Sequence, residues 1–150
     1  MRVLLLLYTE KILSLVQGNY RGKISVSKPL YILSIIECIE LNSLKENLIL
    51  MQDECLRQTF SRMYKNYYSK DICDNSTYLK PYFHLGSSDF YHLVWREGVK
   101  PPMFSKSPSA KYLRENLLYA KLDDELWDLL QDAESRDYLK RSIIKRYLTK

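Results

Sequence analysis

Two histidines, three cysteines and one acidic cluster are the residues whose types bear on catalysis or metal binding. The runs Tyr82–Leu85 and Phe90–Trp95 flank the polar stretch Gly86–Asp89, a pattern that predicts a β-hairpin with His84 and His92 facing each other across it. No cysteine or carboxylate stands at a matching ligand spacing, so the two imidazoles predict no metal site. Asp123, Asp124, Glu125 and Asp128 could hold Mg²⁺ for nuclease chemistry. They open a helix beside Lys121, however, where carboxylates serve to cap and to oppose the helix dipole. There is no glycine-rich phosphate loop, since Gly86 and Gly98 stand alone. The chain therefore reads as a non-enzyme without cofactor or metal.

Cys38, Cys55 and Cys73 are odd in number and widely spaced, which argues against a disulfide framework and for a reducing cytoplasm. Cys38, inside Ile35-Ile36-Glu37-Cys38-Ile39, reads as a small buried hydrophobe.

A second kind of chemistry is better represented. Arg57, Ser61, Lys65 and Tyr68 fall on one stripe of a helix, with Gln58 and Arg62 beside it. Basic and hydroxyl side chains of this kind contact phosphates, and a helix is the usual element to enter a major groove. A solvated helix face has the same pattern. The charge distribution favours the middle of the chain: residues 56–120 carry ten bases and five acids, and residues 121–138 two bases and seven acids.

These side chains need a scaffold. At 150 residues, 46% hydrophobic and 27% charged with a net charge of +5, the chain is one domain with a packed core. Its longest apolar run, Val3 to Tyr8, is far short of the roughly 20 residues that cross a bilayer. Leu5, Leu6, Ile12, Leu13 and Val16 recur at helical spacing before Gly18-Asn19. A second helix opens at Lys28-Pro29, apolar on nearly every side and so central to the core. A short strand is expected over Asn47–Leu50, and a third helix over Gln52–Tyr67 with Leu56, Phe60, Met63 and Tyr67 inward. Ser107-Pro108 predicts the start of a helix reaching Ala120; Asp123 caps another through Leu130, and Asp132–Tyr147 forms the last. Thirteen tyrosines are unusual, and for Tyr31, Tyr67 and Tyr138 packing against apolar helices with the hydroxyl outward is the simplest reading.

Several segments together resemble a known family. They are Lys28-Pro29 with its apolar helix, Pro81-Tyr82-Phe83-His84-Leu85 followed by Asp89-Phe90-Tyr91-His92-Leu93, and Tyr119-Ala120-Lys121-Leu122-Asp123-Asp124-Glu125-Leu126-Trp127 closed by Arg141 to Leu148. Their order and spacing, over about residues 23–148, resemble the N-terminal sulfur-binding domain of HNH-type restriction endonucleases, which recognises phosphorothioate-modified DNA. The resemblance implies a mainly α module with a small β-hairpin (α+β), winged-helix-like, spanning 1–150 without the HNH nuclease domain. It implies double-stranded DNA as partner, a role in bacterial defence, and no membrane. A homodimer and a separate nuclease partner both remain open.

Carried onto this sequence, the family's modified-phosphate pocket falls on Tyr82, Phe83, His84, Leu122, Asp123 and Leu126. The family has a His-Arg pair where this chain has Phe83-His84, an aromatic-Pro step where it has Leu122-Asp123, and a small apolar residue at Leu126. Arg57, Arg62 and Lys65, with Lys106, Lys111 and Arg114 around Ser107-Pro108-Ser109, are the candidates for flanking phosphates. The alternative from another class is a protein-interaction or dimerisation domain of a defence system, with the tyrosines, Trp95 and Trp127 lining the partner surface.

Overall fold

The computed structural model describes residues 2–20, 22–69 and 73–149. Its central element is α2 (Ser27–Glu40), preceded by α1 (Arg2–Leu13) and the small antiparallel pair β1 (Asn19–Tyr20) and β2 (Lys23–Ile24). Leu30, Tyr31, Ile32, Leu33, Ile35, Ile36, Cys38 and Ile39 of α2 are all buried, as a helix apolar on every side must be. It packs against α3 (Glu54–Tyr67), α4 (Asn75–His84) and α7 (Ala133–Ile143). The Lys140–Glu40 ion pair, at 2.7 Å, adds a polar tie from α7.

Each of the amphipathic helices is begun by a side chain. Asp53 accepts from the Leu56 amide at 2.9 Å, and Asp132 from the Ser135 amide at 2.9 Å. Asp74 and Thr77 form a reciprocal capping box at the start of α4. On α3, Leu56, Phe60 and Tyr64 turn inward, while Met63 and Tyr67 are half-buried at the edge.

The strand pairing differs from the expected hairpin. Tyr82-Phe83-His84 close helix α4, and Leu85–Ser87 make one 3₁₀ turn, so this run is no strand. The strand β3 (Tyr91–Trp95) pairs instead with β4 (Leu117–Leu122), antiparallel, with Tyr91 opposite Leu122 and a bulge between Val94 and Trp95. Between them lies α5 (Ala110–Asn116), capped by Ser109 rather than Ser107, so the helix expected to reach Ala120 yields to a strand at Leu117. Tertiary pairing overrides helix propensity here. Ile49 and Ala120 exchange backbone bonds of 2.8 and 2.9 Å, and the Asn47 carboxamide continues the ladder onto the Leu122 backbone at 2.7 and 2.8 Å. The strand expected over Asn47–Leu50 is thus an isolated bridge at Ile49. After α6 (Asp124–Leu129), α7 passes into a π-helical turn, Ile144–Leu148. Helix α1 stops at Leu13, and Val16 is exposed.

The tyrosines explain themselves in the core. Tyr31 meets Tyr78, Tyr82 and Tyr91 edge-to-face, with ring centroids 5.9, 6.1 and 5.9 Å away. Its hydroxyl is not outward: it donates to the Tyr91 hydroxyl at 3.0 Å, which donates to the Tyr82 carbonyl at 2.6 Å. That carbonyl is in the last turn of α4 and needs an outside donor. Tyr82 and Tyr147 likewise satisfy the Ile49 and Ile12 carbonyls, at 2.7 and 2.6 Å. Tyr138 on α7 is 38% exposed.

Candidate functional site

Helix α4 runs along the surface with depressions on both sides. The largest of these, about 540 Å³, is bordered by Lys28 from α2, Thr77, Lys80 and His84 from α4, Ser87, and Phe104 from the following loop. Lys80 and His84 share a face because they are four residues apart on one helix. Lys28 enters from the first turn of α2, its ammonium donating to the Val16 carbonyl at 2.8 Å and retaining two further donors. Burial lowers the Lys28 pKa from its ordinary value. Burial also lowers His84, reinforced by the charges of Lys28 and Lys80, so the imidazole is neutral at pH 7. Its Nε2 lies 2.8 Å from the Ser107 hydroxyl.

Aromatic packing backs the His84 and Phe104 side of this site. Phe83 is buried, with Phe104 5.0 Å and His84 4.9 Å from its ring, and Trp95 behind it at 6.4 Å. Phe104 stays 39% exposed and borders the same groove as Lys28 and Lys80. Gly86 makes this packing possible, because a Cβ there would stand 2.9 Å from Leu93 Cδ1 and 3.0 Å from Phe104 Cζ.

Three smaller grooves continue the depression. One of about 200 Å³ shares Lys28 and Ser87 and adds Lys11 and Asp89, themselves paired at 2.7 Å. A second, about 320 Å³, shares Lys80 and runs between Phe83 and Ser107–Ala110. A third, about 350 Å³, lies between α3 and α4 and is lined by Arg57, Ser61 and Asn75 together with the carboxylates Glu54 and Asp74.

The structure places the candidates unevenly. His84 borders the site and Phe83 the neighbouring 320 Å³ groove, with exposed Lys106 adjoining Ser107 and exposed Lys111 and Arg114 on α5. Arg57 borders the groove beside α3, Lys65 is exposed on that helix, and Arg62 is paired with Glu37. Tyr82, Leu122 and Leu126 are core residues, and the Tyr82 hydroxyl points inward to Ile49. Asp123 sits at the N-cap position of α6, but its carboxylate makes no cap bond. One oxygen accepts from the Tyr8 hydroxyl at 2.8 Å and the other lies 2.5 Å from His92 Nε2. The two histidines therefore have separate partners and do not face each other.

Lys28, Lys80, Thr77 and Phe104 were not among the candidates. The i, i+4 spacing of Lys80 and His84 was the available signal, hidden by reading Tyr82–Leu85 as a strand. Among the described residues no group of three His, Cys, Asp or Glu could hold a metal ion, and no helix is long and apolar enough to cross a membrane.

No family model matches the sequence, and no curated protein matches it. Two solved structures share the fold. The sulfur binding domain of ScoMcrA complexed with phosphorothioated DNA superposes with a TM-score of 0.71 at 14% identity, covering 94% of this chain and 87% of that one. The sulfur binding domain and SRA domain of ScoMcrA, also complexed with phosphorothioated DNA, gives 0.71 at 15% identity, covering 93% of this chain and 42% of that one. The mainly helical architecture with its two antiparallel strand pairs thus has the fold of those sulfur binding domains.

Proposed function

We propose that this chain is a DNA-recognition module that takes the phosphodiester backbone into the groove beside α4 and prefers a phosphorothioate there. The observation that carries the reading is that Lys28, Lys80, His84 and Phe104 border one groove, with the His84 and Phe104 ring centroids 6.5 Å apart. Two ammonium groups supply the attraction that any nucleic acid needs. The His84 and Phe104 rings supply discrimination: sulfur is larger, softer and less strongly hydrated than oxygen, so an apolar wall costs the ordinary phosphate more. Likeness of fold to domains bound to phosphorothioated DNA supports the same reading.

In this proposal His84 and Phe104 form the modified-phosphate wall, with buried Phe83 packed against Phe104. Lys106, Lys111 and Arg114 hold phosphates on one side of α4, and Arg57 and Lys65 on the other. Tyr82, Leu122 and Leu126 act from beneath, by fixing α4 and β4. Cutting the DNA belongs to another domain or chain.

The test is salt dependence. Lys28→Ala and Lys80→Ala should each lower the log–log salt slope of duplex binding by about 0.9, with folding checked by circular dichroism. Unchanged slopes in both folded variants would remove the groove from the interface.

A second reading has one observation in its favour. Val3, Leu6 and Leu7 on α1 are 78%, 51% and 48% exposed, an apolar face available to a protein partner or a second copy. Binding through that face would hardly respond to salt.

A further inference from the structure

From the pairing of two thiols between α2 and α3 we propose that Cys38 and Cys55 form an oxidative cross-linking site, closed by a hydroperoxide and reopened by a thiol reductant. The Cys38 and Cys55 sulfurs are 3.2 Å apart, with the Thr59 hydroxyl 3.7 Å from the first and 3.9 Å from the second. All three cysteines are free thiols. A disulfide needs its sulfurs at about 2.05 Å, so closure asks for a shift of about 1 Å in two side chains.

Access is asymmetric. Cys38 is fully buried in the core, whereas Cys55, in the first turn of α3, is partly exposed. Burial pushes the Cys38 thiol up to about 12, which keeps it protonated and leaves Cys55 as the point of entry. The Cys55 sulfur attacks one peroxide oxygen; the O–O bond breaks, an alcohol or water leaves, and Cys55 becomes a sulfenic acid. The Cys38 sulfur then attacks Cys55, the S–O bond breaks, the S–S bond forms, and water departs with the Cys38 proton. Two thiols have given two electrons to one peroxide.

The bond would close a loop between residues 17 apart and fasten the start of α3 to α2, whose Glu37, next to Cys38, already pairs with Arg62 two turns further along α3. Cys73 lies in the groove between α3 and α4, apart from this pair, and serves as an internal control.

The experiment treats the folded protein with hydrogen peroxide, alkylates under denaturing conditions, and maps the peptides by mass. The expected product has lost about 2 Da, is protected from alkylation at Cys38 and Cys55 but not at Cys73, reverts with dithiothreitol, and melts at a higher temperature. Cys55→Ser, at the half-exposed position, should leave Cys38 fully alkylated after the same treatment. A sulfinic acid at Cys55 without a cross-link, a bond through Cys73, or full alkylation of both Cys38 and Cys55 would each overturn the proposal.

Discussion

His92 Nε2 lies 2.5 Å from one oxygen of Asp123, while the Tyr8 hydroxyl, 115 residues away in sequence, donates to the other at 2.8 Å. The carboxylate thus joins α1, β3 and the start of α6. Partial burial pushes the Asp123 pKa up, but the bonds from His92 and Tyr8, with the nearby charges of His92 and Lys11, hold it below the ordinary carboxylate range.

The stability this lends is present above the unfolded carboxylate pKa, about 4, and is lost as pH falls through the lower folded value. Asp123→Ala should therefore melt below the parent at pH 7, with the gap narrowing towards pH 3. Thermal melts across that range check this; a gap independent of pH would mean that the carboxylate charge is not what holds the junction.

His84 titrates in the opposite functional sense. Its neutral form is favoured by burial and by Lys28 and Lys80, so folding loses stability as pH falls from the unfolded value near 6.5 through the lower folded one. Protonation would nevertheless add a positive charge to the groove. Duplex affinity should rise between pH 7 and pH 5 in the parent and rise less in His84→Ala, as fluorescence anisotropy in constant salt would show.

Gly86 tests the aromatic wall without touching a charge. A methyl group there would displace Leu93 or Phe104, at a cost of about 1–3 kcal/mol. Gly86→Ala should keep most of the affinity for plain DNA and lose preference for the modified duplex. Equal preference in variant and parent would take Phe104 out of the recognition surface.

On α3 the footprint has an edge. Arg57→Ala and Lys65→Ala should each reduce the salt slope by about 0.9 with no change in sequence preference. Arg62→Ala should change it less, because Arg62 is held closely by Glu37 whereas the Glu54 carboxylate stands 3.9 Å from Arg57. Equal slopes for all three variants and the parent would leave the stripe as a solvated face.

The sequence made α2 and α3 legible because their patterns are strong: α2 is apolar on every side, and α3 combines an inward stripe with the Asp53 cap. It misled at Tyr82–Leu85, where aromatic residues and Pro81 suggest a strand. The capping box at Asp74 and the burial of Tyr78 and Tyr82 around Tyr31 hold a helix through that proline. It misled again at Leu117–Leu122, made of good helix formers, because the partners that make it a strand are distant. The site followed the same division. Phe83 and His84 were recognisable from their motif, whereas Lys28 and Phe104 reach the groove only through tertiary packing.

The most direct measurement compares two duplexes of identical sequence, one carrying phosphorothioates, by fluorescence anisotropy at low and physiological salt. Tighter binding to the modified duplex is expected, with a salt slope common to both and a preference that declines when Phe104 or His84 is exchanged for Ala. Equal affinity for the two duplexes would contradict recognition of sulfur, and no binding to either would contradict the DNA interface itself.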